Sequence, residues 1–342
     1  MIKKSIAKVG ISFSNLKRNI KNFFYDISVF LHSKINKKKK QVTLKSKKRN
    51  KLVFYTLLLI FPMVQFLIFY VYVNFNSILL SFQKWDVDNA KFVFLGFDNF
   101  SNVINDLLHD PDMKLATVNS FKIYLCGLLI GLPLNLIFSF FMYKKIPGHG
   151  AFSIILFLPQ IISSLVISLM FKYIVEYAIG DLNGILDYGQ TLLSNKKTGF
   201  PTIIFYGIWA SFGTQILIYT NAFSKINTEL VEYGKLEGMN LLQEFYHISL
   251  PSIFPTITIF LVAGVAGIFT NQAALFNFYG TGAQPYMQTL GYVFFIKVLK
   301  NDVAGFAQYP YASAAGILFT LIAAPLTFLV KWVLEKFGPR EE

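Results

Sequence analysis

Cysteine is nearly absent. Cys126 is the only one in 342 residues, so no internal disulfide can form. It lies in an apolar run and reads as a small packing residue. Charge is scarce too: Asp, Glu, Lys and Arg make up 15% of the chain, against roughly 25% in a typical soluble domain. Acid is almost missing from residues 1–51, where Asp26 stands against 16 Lys and Arg. The phosphate loop G-x-x-x-x-G-K-[ST] does not occur, so the chain is not expected to hydrolyse ATP by itself. H-E-x-x-H and C-x-x-C are absent, and the four histidines are scattered, so no metal site is expected. These gaps argue against disulfide scaffolds, metalloenzymes and self-powered ATPases.

What is plentiful is apolar: the hydrophobic fraction is 54%, with 37 Phe and 18 Tyr. Six stretches lack Asp, Glu, Lys and Arg, namely 52–83, 123–143, 146–171, 198–224, 245–296 and 303–330. A helix needs about 20 apolar residues to cross the hydrocarbon core. The pattern predicts spans near 53–75, 120–143, 150–175, 202–223, 255–277 and 311–334. The fold class expected is all-α, a polytopic membrane protein with six transmembrane helices.

Orientation follows from basic residues beside the spans. Lys45, Lys47, Lys48, Arg49 and Lys51 precede the first. Lys144 and Lys145 fill the second connection, and Lys331, Lys336 and Arg340 follow the sixth. Both termini are therefore expected in the cytoplasm. The segment 76–117 is acidic on balance and expected outside. The start of the chain, residues 1–50, reads as a separate basic extension. Ile11, Leu16, Ile20, Phe23, Phe24, Ile27, Phe30 and Leu31 recur at roughly helical spacing, which suggests an amphipathic helix on the inner leaflet. No aromatic platform accompanies its lysines, so nucleic acid is not an expected partner.

Buried carboxylates at mid-membrane, common in ion-driven carriers, are missing from the central spans. Uncharged polar groups are present at depth. Trp209, Gln215, Tyr219 and Asn221 in the fourth span, with Asn271 and Gln272 in the fifth, are candidates to line a path for a neutral polyhydroxylated solute. Each has a plainer reading as glue between helices. Asn271 and Gln272 also lie near the outer end.

The segment from Glu229 to Pro255 is long for a helix connection. Two helical pieces are expected, about 227–237 and about 240–249, the second stopping before Pro251. Gly238 permits a tight turn with a close contact between them, and Asn240 is a candidate cap. The second piece places Leu241, Glu244, Phe245 and Ile248 near one another as a ridge that packs on this chain or on a partner.

Here a known pattern emerges. Glu232, Tyr233, Gly234, Gly238, Ile248, Leu250 and Pro251 match the spacing E-A-A-x-x-x-G, nine residues, I-x-L-P. Glu237 fits an acidic position before the glycine, and Gln243 and Phe245 fit a Q-x-F element. Phe94, Gly96, Phe97, Asn99 and Phe100 fit F-x-G-[LF]-x-N-[FY]. On these residues the chain resembles the integral-membrane permease subunits of binding-protein-dependent ABC importers, in their carbohydrate branch. It departs from the pattern where Tyr233 and Gly234 replace two alanines.

The resemblance covers about 51–336 as a transmembrane domain, with 225–254 as its cytoplasmic coupling loop. It implies a type I importer fold in a bacterial cell membrane. Implied partners are two ATPase subunits that hold the ATP and Mg, a second and non-identical permease, an extracellular solute-binding protein and a carbohydrate substrate. This chain itself is expected to bind no cofactor. The implied ATPase-coupling residues are Glu232, Glu237, Gly238, Leu241, Phe245, Ile248, Leu250 and Pro251. Alternatives are a self-contained carrier for a neutral solute, or an ABC permease of the glycerol-phosphate type.

Overall fold

The longest apolar run forms one helix, α1, Asn50–Ser81, of 32 residues. At 1.5 Å per residue it is about 48 Å long, well beyond a ~30 Å hydrocarbon core. From Leu52 to Val73 its side chains are nearly all apolar, as a helix that crosses hydrocarbon requires. This helix belongs to a computed structural model that describes Tyr25 and residues 44–178, 191–299, 306 and 308–339. The basic extension, the expected amphipathic helix included, lies outside the described residues apart from Tyr25 and the stretch from Leu44. The chain forms two units, Met1–Asn74 and Phe75–Glu342.

After α1 a short hairpin, β1 Gln83–Asp86 and β2 Lys91–Phe94, pairs antiparallel with Gln83 opposite Phe94. Asp86 closes its turn by accepting from the backbone N–H of Asp88 at 3.1 Å and the side-chain amide of Asn89 at 2.8 Å. Asn99, on α2 (Asp98–His109), is buried and donates to the carbonyls of Ser81 at 2.9 Å and Gln83 at 2.7 Å. The asparagine of the F-x-G-[LF]-x-N-[FY] segment thus ties the hairpin to the helix that follows.

α3 runs Pro111–Tyr143, nine residues earlier than the expected start at 120. Asp110 caps it, accepting from Asp112 N at 2.9 Å, and Pro111 sits in the first turn, where its missing donor costs nothing. The expected third span, 150–175, is broken. It consists of α4, His149–Ile161, and α5, Ser164–Tyr177, bent by 105°. Pro159 lies inside α4, Ile162 is extended at ψ 141°, and Ser163 caps α5 through Val166 N. The Gln160 side-chain amide donates to the Ala210 carbonyl on α6, Gly199–Phe223.

Two loop helices follow, α7 (Thr228–Leu236) and α8 (Leu241–Ser252), then α9 (Phe254–Gly267). The expected fifth span, 255–277, ends ten residues early. Ala273 and Ala274 adopt left-handed φ of 51° and 56°, and the chain restarts as α10, Leu275–Tyr279. Thr289 Oγ1 donates to the Asn271 carbonyl at 2.8 Å and holds this turn. Then come α11 (Leu290–Leu299) and α12 (Gln308–Phe337), which covers the expected sixth span. Among the described residues, four continuous helices are long and apolar enough to span a membrane, and by length and composition the number is up to six if each bent pair is counted as one span.

Candidate functional site: the loop helices and the cavity above them

The loop between α6 and α9 is built by local rules. Asn227 caps α7 by accepting from Glu229 N at 3.0 Å. At the other end Gly238 has φ +80°; Met239 N donates to Gly234 O and Gly238 N to Lys235 O, both at 3.0 Å. These two bonds are a Schellman closure, and its left-handed position favours glycine. A Cβ at Gly238 would meet nothing within 4 Å, so its requirement within this chain is the dihedral and not the expected close contact. Two residues on, Asn240 and Gln243 form a reciprocal capping box at 2.9 Å each way and start α8. The glutamine of Q-x-F thereby has a structural task.

α8 does not stop before Pro251. A π turn over Phe245–Ser249 returns to α geometry at Leu250, and Pro251 lies in the last turn of α8, beside the break. The break comes at Ile253, and α9 departs at 66°.

The implied coupling residues divide between two faces. Glu232, Glu237, Gly238 and Leu241 are exposed. Phe245 is buried, with Ile248 and Leu250 packed beside it against Phe140, Tyr219 and Phe223. Pro251 is half-buried. The outer surface also presents Tyr233, Leu236, Leu242 and Tyr246, which the motif did not single out. Leu236 is 86% exposed and Leu242 67%, a costly display in water that implies a cover. Leu242 and Tyr246 are four apart on one helix, a signal legible in retrospect.

Gly234 stands where the motif has alanine. An added Cβ would lie 2.8 Å from Ile248 Cδ1 and 3.1 Å from Met239 Sδ, both ends of movable side chains. Alanine also favours a helix interior over glycine by about 1 kcal/mol. Gly234→Ala should therefore leave thermal stability in detergent equal or slightly higher. A clear drop would mean that Ile248 cannot give way.

Between α3, α6 and α9 lies a cavity of about 440 Å³. Gln215, Tyr219 and Asn271 line it, joined by Ser120, Tyr124, Asn135 and Ser211, which the sequence reading missed. Asn135 is buried and its amide donates to Gln215 Oε1. Ser139 donates to the Ile216 carbonyl at 3.2 Å and Thr220 to the Ser139 carbonyl at 3.3 Å, so the same seam is also glued by polar bonds. The other candidates lie elsewhere. Trp209 packs on Phe171 and Tyr206 in a neighbouring core. Asn221 is exposed and lines a second cavity, about 710 Å³, beside the loop helices. Gln272 belongs to the turn after α9, as does Asn271, whose side-chain Oδ1 accepts from Ala273 N at 2.8 Å.

Fold and site together define a polytopic helical membrane protein with an internal cavity and a capped, partly exposed loop helix. The family of binding-protein-dependent transport system inner membrane components matches residues 120–342, and the chain belongs to it. Membership makes it a permease subunit, with ATP hydrolysis in separate ATPase subunits. Among curated relatives, the multiple sugar-binding transport system permease protein MsmF of Streptococcus mutans is 26% identical over 285 residues, 82% of this chain and 94% of MsmF. The arabinooligosaccharides transport system permease protein AraP of Bacillus subtilis is 26% identical over 212 residues, 60% of this chain and 66% of AraP. A crystal structure of a bacterial ABC transporter involved in the import of the acidic polysaccharide alginate shares the fold, with a TM-score of 0.67 and 22% identity over 86% of this chain and 98% of that one.

Proposed function

We propose that this chain is the permease subunit of an ATP-driven importer that moves a sugar or oligosaccharide delivered by an extracellular solute-binding protein. The observation that carries the solute class is the polar part of the cavity lining: hydroxyls, amides and tyrosines set among a majority of apolar residues, with no Asp, Glu, Lys, Arg or His among the described residues. Such walls hydrogen-bond a neutral polyol without asking a charge to lose its water. The names of MsmF and AraP support the same solute class. A glycerol phosphate would bring an anion to a site with no cation to meet it.

In this reading α8 docks on an ATPase subunit, with Glu232, Glu237 and Leu241 on the outer surface of the loop. Gly238 sets the angle between α7 and α8, while Phe245, Ile248, Leu250 and Pro251 hold α8 to the spans. Two ATPase subunits and a second, non-identical permease complete the complex, and both termini face the cytoplasm. Gln215, Tyr219 and Asn271 contribute this chain's wall of the path.

Gentle solubilisation of the tagged chain from its native cells, followed by mass spectrometry of what co-purifies, tests this. The expected partners are an ATPase, a second six-span permease and a solute-binding protein whose sugar binding is then measured by calorimetry. An active preparation without an ATPase would remove the importer reading, and a binding protein that takes no carbohydrate would remove the sugar.

A further inference from the structure

The loop helix α8 has one free face and one held face. Leu241, Leu242 and Tyr246 are exposed, whereas Glu244 is only 4% exposed. A carboxylate so buried requires a partner, and Lys144, the first residue past α3, pairs its Nζ with Glu244 Oε1. Of the two lysines in that connection, Lys145 is exposed, with φ +52° ending the helix, while Lys144 turns inward. Its Nζ lies 5.5 Å from the Phe140 ring centroid and 5.2 Å from that of Tyr143. The next residue of α8, Phe245, meets Phe140 at 5.0 Å and Phe223 at 6.4 Å. The ends of α3 and α6 thus form an aromatic socket for Glu244 and Phe245, with Lys144 at its mouth.

The two contacts do different things. Apolar packing transmits strain through shape but ties no one atom to another. An ion pair set in low-dielectric walls fixes one atom against another and resists their separation. On α3, Asn135 lines the cavity nine residues before Lys144, about 13.5 Å along the helix axis, and is bonded to Gln215 of α6.

We propose that the Lys144–Glu244 pair is the link that carries displacement of α8 into α3, and through it to the cavity wall. Both are positioning residues, and neither lines the cavity. The proposal rests on the reading of α8 as the ATPase-docking helix.

The test uses the whole complex, reconstituted with its ATPase, second permease and solute-binding protein. Two quantities are read: solute taken up per ATP hydrolysed, and ATPase retained on purification. Glu244→Gln and Lys144→Met should each lower uptake per ATP at least fivefold while the ATPase stays bound. The exchanged pair, Lys144→Glu with Glu244→Lys, should return it to within twofold of the unsubstituted complex. A purely structural pair would reduce the yield of complex and leave uptake per ATP alone.

Single variants strand a buried charge and can fail to assemble. The doubly neutral Lys144→Met/Glu244→Gln strands none and decides the matter. It should assemble and remain at least fivefold low. Normal uptake per ATP in that variant, or an assembled exchanged pair that restores nothing, overturns the proposal. Absence of an ATPase from the unsubstituted complex would instead overturn the docking reading beneath it, before any substitution is made.

Discussion

Replacing Leu241 and Leu242 together by aspartate should strip the ATPase from the purified complex and lower uptake at least a hundredfold. The chain should still accumulate in the membrane. Both leucines are exposed, so little packing within this chain is lost. The capping box made by Asn240 and Gln243 lies outside the changed side chains. Acidic residues in a first turn favour a helix through its dipole, by about 0.3–1 kcal/mol, so α8 should be no weaker. The loss therefore belongs to whatever covers that surface. Each carboxylate would be buried there without a partner, at a cost of several kcal/mol, and a hundredfold loss needs only about 2.7 kcal/mol. Co-purification and uptake per cell are the two readings. An ATPase retained at normal stoichiometry would end the assignment of this face as the docking surface.

Gly213→Val should leave little folded protein. In α6 Gly213 faces α4 at such close range that an added Cβ would overlap the Leu156 carbonyl, which is backbone and cannot rotate away. The two helices would have to move apart, and with them the contact from Gln160 to Ala210 that pins the break between α4 and α5. Overpacking of this kind costs typically 1–3 kcal/mol and occasionally more, and the polar end of a broken helix in lipid has no water to fall back on. Gly207→Ala, on the same helix, is the control: a Cβ there meets nothing within 4 Å. Size-exclusion profile and thermal midpoint in detergent should separate the two. Equal behaviour would mean that α4 and α6 are not held by this approach.

Where the signal was local, it was readable. A charge-free run is long enough to span or it is not, and six such runs correspond to four continuous helices and two bent pairs. Asp110–Pro111 carried a helix start that hydropathy alone missed, because the first turn of α3 is polar. Asn240 and Gln243 carried theirs in plain view. The spacing from Glu232 to Pro251 pointed to the family to which the chain belongs.

What the sequence determined, then, is the number of apolar runs, the caps and turns of the loop, and the family, since each depends on residues within about 20 positions of one another. Tertiary structure decided the rest. It broke the third span at Ile162, where Ser163 offered a new cap and Gln160 found a carbonyl 50 residues away. It ended α9 at Gly267, because Thr289 could hold the turn beyond it. It turned Lys144 from a topology marker into the partner of Glu244, and it set Asn135 against Gln215 while sending Trp209 into a different core. The physical reason is common to all of them. Hydropathy says that a side chain must leave water, whereas its partner is chosen by geometry that exists only once distant helices have met.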